Sequence, residues 1–161
     1  MNRIGDSLFC TGKNEQIVRA FVSNGVEFAV VGGLAVSWYC ASRQADDMDL
    51  LVNPTGANSG KIEIALRGLR LRELRTGAFA KDGVKLQLKD EHYADILTPA
   101  RDGLTFEEVI SQSTSGNLFD LPVRIPSVAS LIKLKEQAAA SEKAQLEKHL
   151  KDIELLKEHT V

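Results

Sequence analysis

The sequence predicts an α/β (α+β) fold in which helices flank one mixed β-sheet and a helical segment ends the chain. Three observations lead to this prediction. Short runs that are apolar or alternate between apolar and polar residues, as strands do, recur between residues 27 and 97. Stretches with apolar residues at helical spacing separate these runs. After residue 127 only helical spacing is found, and it is set among many charged residues.

The first half of the chain alternates between helix and strand. We expect a helix over Lys13–Ser23, ended by the left-handed stop Asn24-Gly25, and then a buried strand over Glu27–Val31. A glycine pair breaks this strand. A mostly apolar helix over Leu34–Ser42 is expected to follow, and Met48–Val52 is expected to form the second strand.

The middle of the chain supplies the rest of the predicted sheet. Apolar residues at helical spacing over 62–69 predict another helix. Val84–Leu88 alternates as a half-buried strand does, and we expect it to pair with Tyr93–Leu97 across a turn at Asp90-Glu91. These two strands and the two earlier ones are expected to share one mixed sheet.

Two short elements and two helices complete the prediction. We expect a short helix over Phe106–Ile110 and a strand where apolar residues alternate, at Phe119, Leu121 and Val123. Ser127 is the expected N-cap of the next helix. The apolar stripe of the last helix consists of Leu146, Leu150, Ile153 and Leu156.

Composition limits the classes of protein to which the chain can belong. Twenty basic and twenty-two acidic residues give a formal charge of -2, which argues against bulk electrostatic binding to duplex nucleic acid. No apolar stretch approaches the ~20 residues of a membrane span, and the first residues lack the apolar core of a secretory signal. Two cysteines are too few for a disulfide framework. We therefore expect one domain over 1–161, with a core at about 13–125 and C-terminal helices at about 127–158, in a reduced, cytoplasmic setting.

Two aspartates at alternate positions form the clearest chemical motif. Asp47 and Asp49 stand in or beside an apolar strand, where aspartate is unfavourable, and alternation directs both side chains to the same face. Two carboxylates held that close repel each other unless a cation lies between them. Mg²⁺ suits such oxygen ligands when phosphates complete its shell. A solvent-exposed strand face or an acidic loop is the alternative that this short motif leaves open.

A second motif is the glycine pair Gly32-Gly33 between a strand and a helix. This arrangement lets the backbone approach a phosphate, and the positive end of the helix dipole favours the negative charge. A tight turn without a ligand is the alternative. The two motifs together favour a phosphate and metal site, because one offers amides and the other offers carboxylates.

These motifs carry a family resemblance. Gly32-Gly33, followed after thirteen residues by Asp47-Met48-Asp49-Leu50, resembles the signature of the DNA polymerase beta-type nucleotidyltransferase superfamily. The run from Arg43 to Asp49 is similar to the Arg-x-Thr-x-Asp-h-Asp form of small bacterial members, among them AbiEii-type toxins, and Ala45 stands at the threonine position. The resemblance extends from about Val22 to the C-terminal helices.

The resemblance implies a third carboxylate on a later strand, and Asp95 is the matching residue. Asp95 lies in an otherwise apolar strand, so it either faces a cleft or is buried at a cost; a strand-end cap or a surface charge is the alternative. The family pattern then makes Asp47, Asp49 and Asp95 the catalytic and metal-binding residues, with Mg²⁺ or Mn²⁺ as the cofactor.

The resemblance also implies a set of nucleotide-binding residues. Gly32 and Gly33 would hold phosphates, and Arg43 or Lys135 would add a positive contact. Lys135 lies on the apolar stripe of its helix, where a lysine reaches water, pairs with an acid or contacts an anionic ligand.

The function implied is transfer of a nucleoside monophosphate from a nucleoside triphosphate such as ATP to a hydroxyl acceptor. The acceptor is left open among an RNA end, a protein hydroxyl and a small aminoglycoside-like molecule, and the AbiEii likeness implies an antitoxin partner. Ala45 and His149, which replaces an acid in a family Lys-Asp-x-x-Asp run, favour instead a catalytically degenerate domain that binds nucleotide or protein. A protein that binds partners only through its helical C-terminus is the third reading.

Overall fold

The computed structural model describes residues 3–4, 11–88 and 94–159. Over these residues the helices are α1 (Thr11–Ser23), α2 (Gly32–Tyr39), α3 (Gly56–Gly68), α4 (Phe106–Ser111), α5 (Val128–Ser141) and α6 (Leu146–Lys157). The strands are β1 (Arg3–Ile4), β2 (Phe28–Val31), β3 (Met48–Val52), β4 (Lys85–Leu88), β5 (Ala94–Leu97), β6 (Ser113–Leu118) and β7 (Leu121–Pro126). A 3₁₀ turn at Lys143–Gln145 joins α5 to α6.

The predicted mixed sheet is confirmed. Its strand order is β2-β3-β5-β4, with β2 antiparallel to β3, β3 parallel to β5, and β4 antiparallel to β5. Tyr93 and the predicted turn at Asp90-Glu91 lie outside the described residues. The parallel β3–β5 pair lies at the centre of the sheet, most of its residues are buried, and its sequence is apolar except at its aspartates.

A second sheet of order β1-β6-β7 accompanies the first. The strand predicted at Phe119, Leu121 and Val123 is confirmed from Leu121 onward, as β7. Phe119 lies outside this strand, because Phe119 and Asp120 have φ angles of +55° and +62° and form the turn between β6 and β7. Two successive positive φ angles are the signature of a two-residue type I′ hairpin turn.

The helix after the glycine pair also differs from its prediction. It was expected over Leu34–Ser42, whereas α2 begins at Gly32 and ends at Tyr39. Cys40 ends the helix because its backbone is extended, with φ −123° and ψ 95°. This early end leaves the following segment free to turn back toward the glycines, which brings Arg43 to the start of the same helix.

The apolar core joins the sheets to the C-terminal helices. One cluster of buried side chains runs from Ile17 on α1 to Leu156 on α6. Ser127 caps α5 as predicted, since its Oγ accepts a hydrogen bond from the Ser130 amide at 3.1 Å. The predicted stripe of α6 is only half correct, because Leu146 and Leu150 are 37% and 50% exposed. Each helix in the described part of the chain is too short or too polar to cross a lipid bilayer.

Candidate active site

Strand register brings the two aspartate motifs together. In the parallel β3–β5 pair Asp49 lies directly opposite Asp95. On the other side of β3, Asp49 lies opposite Val31, the last residue of β2. The glycine turn that follows Val31 is therefore next to the carboxylates. Asp47 precedes β3 by one residue and is half-buried at the edge of the same pocket.

Gly32 allows the backbone to lie against the Asp49 carboxylate. Its φ of +68° falls in the region that side-chain-bearing residues avoid. A Cβ added at this position would also overlap Asp49 Oδ2. Both the backbone angle and the contact therefore require glycine here.

Gly33 is covered by the guanidinium group of Arg43. A Cβ at Gly33 would lie 2.5 Å from Arg43 Nη2. Val31, the N-cap residue of α2, provides no side-chain hydrogen bond to the first amides of the helix. The helix N-terminus and a cation thus lie together beside the aspartates, and both favour an anion.

Arg43 and Lys135 are held by one buried acid. Asp152 on α6 accepts hydrogen bonds from Arg43 Nε at 2.7 Å and from Arg43 Nη2 at 3.3 Å. Lys135 Nζ on α5 lies 2.8 Å from Asp152 Oδ2. Asp152 and Lys135 are 2% and 6% exposed. Lys135 thus pairs with an acid, one of the outcomes that the sequence left open.

A second chain of charges runs along the Asp95 side of the pocket. Lys85 Nζ on β4 lies 3.9 Å from Asp95 Oδ2 and 3.4 Å from Glu142 Oε2. Glu142 Oε1 in turn lies 3.1 Å from His149 Nε2. Burial and the charge of Lys135 lower the pKa of His149. This chain links the edge strand of the sheet to the C-terminal helices.

Burial and the neighbouring carboxylates disfavour the ionised form of Asp49. Burial, followed by the charge of Asp95, raises the pKa of Asp49 to about 7, and Asp47 adds to the rise. Lys135 and Lys85 oppose this rise without cancelling it. A divalent cation among these carboxylates would stabilise their ionised form, and carboxylate oxygens are the ligands that Mg²⁺ and Mn²⁺ prefer.

The residues therefore fit a divalent cation by their chemistry and by their register. The described part of the chain contains no set of three or more His, Cys, Asp or Glu side chains already oriented as metal ligands. Asp95 instead points one oxygen toward Lys85. Binding of a cation would then include reorientation of the carboxylates, as expected for side chains that repel one another.

A pocket of about 540 Å³ contains every candidate residue of the sequence analysis. The residues that line it include Gly32, Gly33, Arg43, Asp47, Asp49, Asp95 and Lys135. Sequence reasoning missed Lys85 and Glu142, which also line the pocket, and gave no role to Asp152, which fixes two of its cations. Lys85 and Glu142 carry no signal in the sequence, because isolated charges on a strand and at a helix end are common on surfaces.

Comparison with known proteins identifies the fold. A scan against protein-family models and a search of curated proteins gave no match. Among solved structures, a crystal structure of ANT(2″)-Ia in complex with adenylyl-2″-tobramycin has a TM-score of 0.57 at 20% identity, covering 91% of this chain and 86% of that one. A solution structure of the antibiotic-resistance factor ANT(2″)-Ia has a TM-score of 0.58 at 19% identity, covering 89% of this chain and 80% of that one.

A third neighbour is a crystal structure of an antigenic nucleotidyltransferase-like protein from Paracoccidioides brasiliensis. It has a TM-score of 0.52 at 14% identity and covers 89% of this chain and 74% of that one. The structural neighbours are nucleotidyltransferases. This chain therefore has a nucleotidyltransferase-type fold, with a mixed sheet, flanking helices and a helical C-terminal segment.

Proposed function

We propose that this chain is a metal-dependent nucleotidyltransferase, which transfers a nucleoside monophosphate from a nucleoside triphosphate to a hydroxyl acceptor. One observation carries the proposal: Asp47, Asp49 and Asp95 meet the Gly32-Gly33 turn in a single pocket. This combination suits phosphoryl transfer, because the amides can bind the phosphates and the aspartates can hold a cation that neutralises the negative charge of the phosphates.

The three aspartates would hold Mg²⁺ or Mn²⁺ when the nucleotide is bound. The cation would neutralise charge on the triphosphate and on the attacking oxygen. Asp49 is the central ligand of the proposal, because it lies opposite Asp95 and its pKa is raised by burial and by the Asp95 charge. A bound cation would favour ionised Asp49 at neutral pH.

The phosphates would lie at the start of α2. The amides after Gly32 supply hydrogen-bond donors, and the helix dipole favours negative charge there. Arg43 and Lys135 add two cations on the same side of the pocket. This arrangement would hold the β- and γ-phosphates while the α-phosphorus faces the aspartates.

The reaction is an in-line displacement at the α-phosphorus. The acceptor hydroxyl oxygen forms a bond to this phosphorus while the bond to the bridging oxygen of the β-phosphate breaks, and pyrophosphate leaves. Asp95 would receive the hydroxyl proton, because it is a carboxylate that lines the pocket on β5, which β3 separates from the glycine turn after β2. Arg43 and Lys135 would stabilise the charge on the departing pyrophosphate.

The acceptor is proposed at the level of chemical class: an RNA end, a protein hydroxyl or a small hydroxyl-bearing molecule. The fold likeness to ANT(2″)-Ia, whose crystal structure is a complex with adenylyl-2″-tobramycin, supports a small molecule and ATP as donor. A toxin role with an antitoxin partner is supported only by the likeness of the Arg43–Asp49 run to AbiEii-type toxins.

A catalytically degenerate domain that binds nucleotide or protein is the second candidate. Ala45 supports it, since this residue lines the pocket without the hydroxyl of the family threonine. His149 supports it as well, because it hydrogen bonds to Glu142 where the family run has an acid. Such a domain would bind a triphosphate without releasing pyrophosphate in the presence of any acceptor.

The proposal is tested by calorimetric titration with each of the four ribonucleoside triphosphates, with Mg²⁺ and with a chelator. We expect Mg²⁺-dependent binding that is lost in the double variant Asp47→Asn/Asp49→Asn, because each of its two substitutions removes a carboxylate charge from the cation site. The matched control is Asp102→Asn/Asp120→Asn, at two exposed turn positions with positive φ, which asparagine tolerates.

Unchanged Mg²⁺-dependent binding by the Asp47→Asn/Asp49→Asn protein would reject the assignment of the site. Pyrophosphate release in the presence of RNA, protein extract or amino sugars then separates the enzyme from the degenerate domain and assigns the acceptor class.

A further inference from the structure

Asp152 is a buried acid to which the proposed reaction gives no direct part. It lies on α6, is 2% exposed, and contacts two residues that line the pocket. Its two oxygens contact Arg43 from the segment after α2 and Lys135 from α5. Three separate parts of the chain therefore meet at one carboxylate.

These contacts fix the orientation of the two cationic side chains and do more than neutralise their charge. Arg43 binds Asp152 through two nitrogens, Nε at 2.7 Å and Nη2 at 3.3 Å, which fixes the plane of its guanidinium group. That plane lies over Gly33, where a Cβ would be 2.5 Å from Nη2. Lys135 Nζ reaches the same carboxylate at 2.8 Å, so its flexible side chain is also held in one position.

The cluster keeps a net positive charge. Two cations and one anion sum to +1, and all three side chains are largely removed from water. Burial alone would raise the pKa of Asp152, but the hydrogen bonds and charges of Lys135 and Arg43 outweigh it and hold that pKa below its usual value. The carboxylate is thus ionised at neutral pH, and one positive charge remains for an anion in the pocket.

We propose that Asp152 is a positioning residue, which holds Arg43 and Lys135 side by side at the start of α2 as one site for the phosphates of the nucleotide. The inference rests on the proposed function and adds a residue to it. Asp152 acts through the two cations that it orients and does not itself contact the nucleotide.

Asp152→Asn separates positioning from simple electrostatics. The substitution keeps the shape of the side chain but raises the net charge of the cluster from +1 to +2. Electrostatic attraction alone predicts tighter binding of a triphosphate by this variant. Positioning predicts weaker binding, because an amide cannot hold both cations in their present places.

The experiment is calorimetric titration of the wild-type protein and of Asp152→Asn with ATP and Mg²⁺, and with inorganic tripolyphosphate alone. We expect both dissociation constants to rise about tenfold or more, as is usual when a residue that orients a ligand-binding side chain is lost. Ile153→Val is the matched control, since it shortens the neighbouring buried side chain on the same helix and leaves the charges of Arg43, Lys135 and Asp152 unchanged. It should lower the melting temperature slightly and leave both affinities unchanged.

Asp152→Glu keeps the proposal testable when Asp152→Asn does not fold. Glutamate retains the charge and moves it by one methylene group, so we expect a folded protein with weaker ATP binding than wild type. ATP affinity equal to wild type in Asp152→Glu, or equal or tighter in Asp152→Asn, would overturn the positioning role alone. Absence of ATP binding by the folded wild-type protein would overturn the proposed function and this inference with it.

Discussion

Gly32 has both a left-handed backbone conformation and a close contact with the Asp49 carboxylate. Gly32→Ala would force a side chain into a left-handed conformation, which costs about 1–2 kcal/mol, and its Cβ would displace the Asp49 carboxylate. We expect lower stability in urea denaturation and loss of Mg²⁺-dependent ATP binding in calorimetry.

Gly25→Ala is the control for this substitution. Gly25 has the same φ of +68°, but a Cβ added there meets no atom within 4 Å. It should lose a similar amount of stability and keep its ATP affinity. Equal ATP affinities for the Gly32→Ala and Gly25→Ala proteins would show that the backbone contact with Asp49 has no part in binding.

The site residues that could be predicted from the sequence are those whose residue type is unusual for the segment in which they stand. Asp49 and Asp95 are acids in apolar strands, and Gly32 interrupts the passage from a strand to a helix. Lys85 and Glu142 are not unusual in this sense, because charged residues are common on edge strands and at helix ends. Tertiary packing alone brings them to the pocket.

At the scale of elements, the strands of the mixed sheet were predicted because apolar runs and alternation mark them. β6 was missed because its sequence, STSGNL, places only Gly116 and Leu118 in the interior. Phe119 was misassigned because its apolar side chain continues the alternation of β7, whereas the backbone there forms the hairpin turn. The positive φ angles of the turn therefore exclude Phe119 from the strand, although its side chain is apolar.

We expect the packing of α6 against the rest of the molecule to depend on pH through Asp152. Arg43 and Lys135 are its direct partners, and Cys40 and His149 also interact with it electrostatically. Its pKa is lowered in the folded protein, so its ionic contribution to stability is complete above the unfolded value of about 3.9. That contribution is lost as the pH falls through the lower, folded value.

We therefore expect the stability difference between wild type and Asp152→Asn to be largest near neutral pH and to shrink below about pH 4. Urea denaturation of both proteins from pH 7 to pH 3 measures this difference. Asp102→Asn, at an exposed turn, should differ from wild type by the same small amount throughout. A constant difference for Asp152→Asn would mean that its contacts stabilise α6 by shape alone.

At the scale of the whole molecule, the pocket belongs to two regions that are distant in sequence. Its three aspartates and its glycine pair lie on or beside the mixed sheet and α2, whereas Lys135, Glu142 and His149 come from the C-terminal helical segment. The ion pairs Arg43–Asp152 and Lys85–Glu142 cross between these regions, and one apolar core extends through both. We propose on this basis that the chain is one domain and unfolds as one cooperative unit.

Trp38, the single tryptophan, tests this cooperativity. It lies on α2 and packs against the core, so its fluorescence reports the region of the glycine turn, while far-UV circular dichroism reports all the helices. We expect the two urea transitions to coincide, and saturating ATP with Mg²⁺ to shift both together, by about 2.7 kcal/mol at a hundredfold excess over the dissociation constant. A helical transition at lower urea than the Trp38 transition would mean that the C-terminal helices unfold separately. An ATP shift of the helical transition alone would place the nucleotide on those helices and away from the sheet.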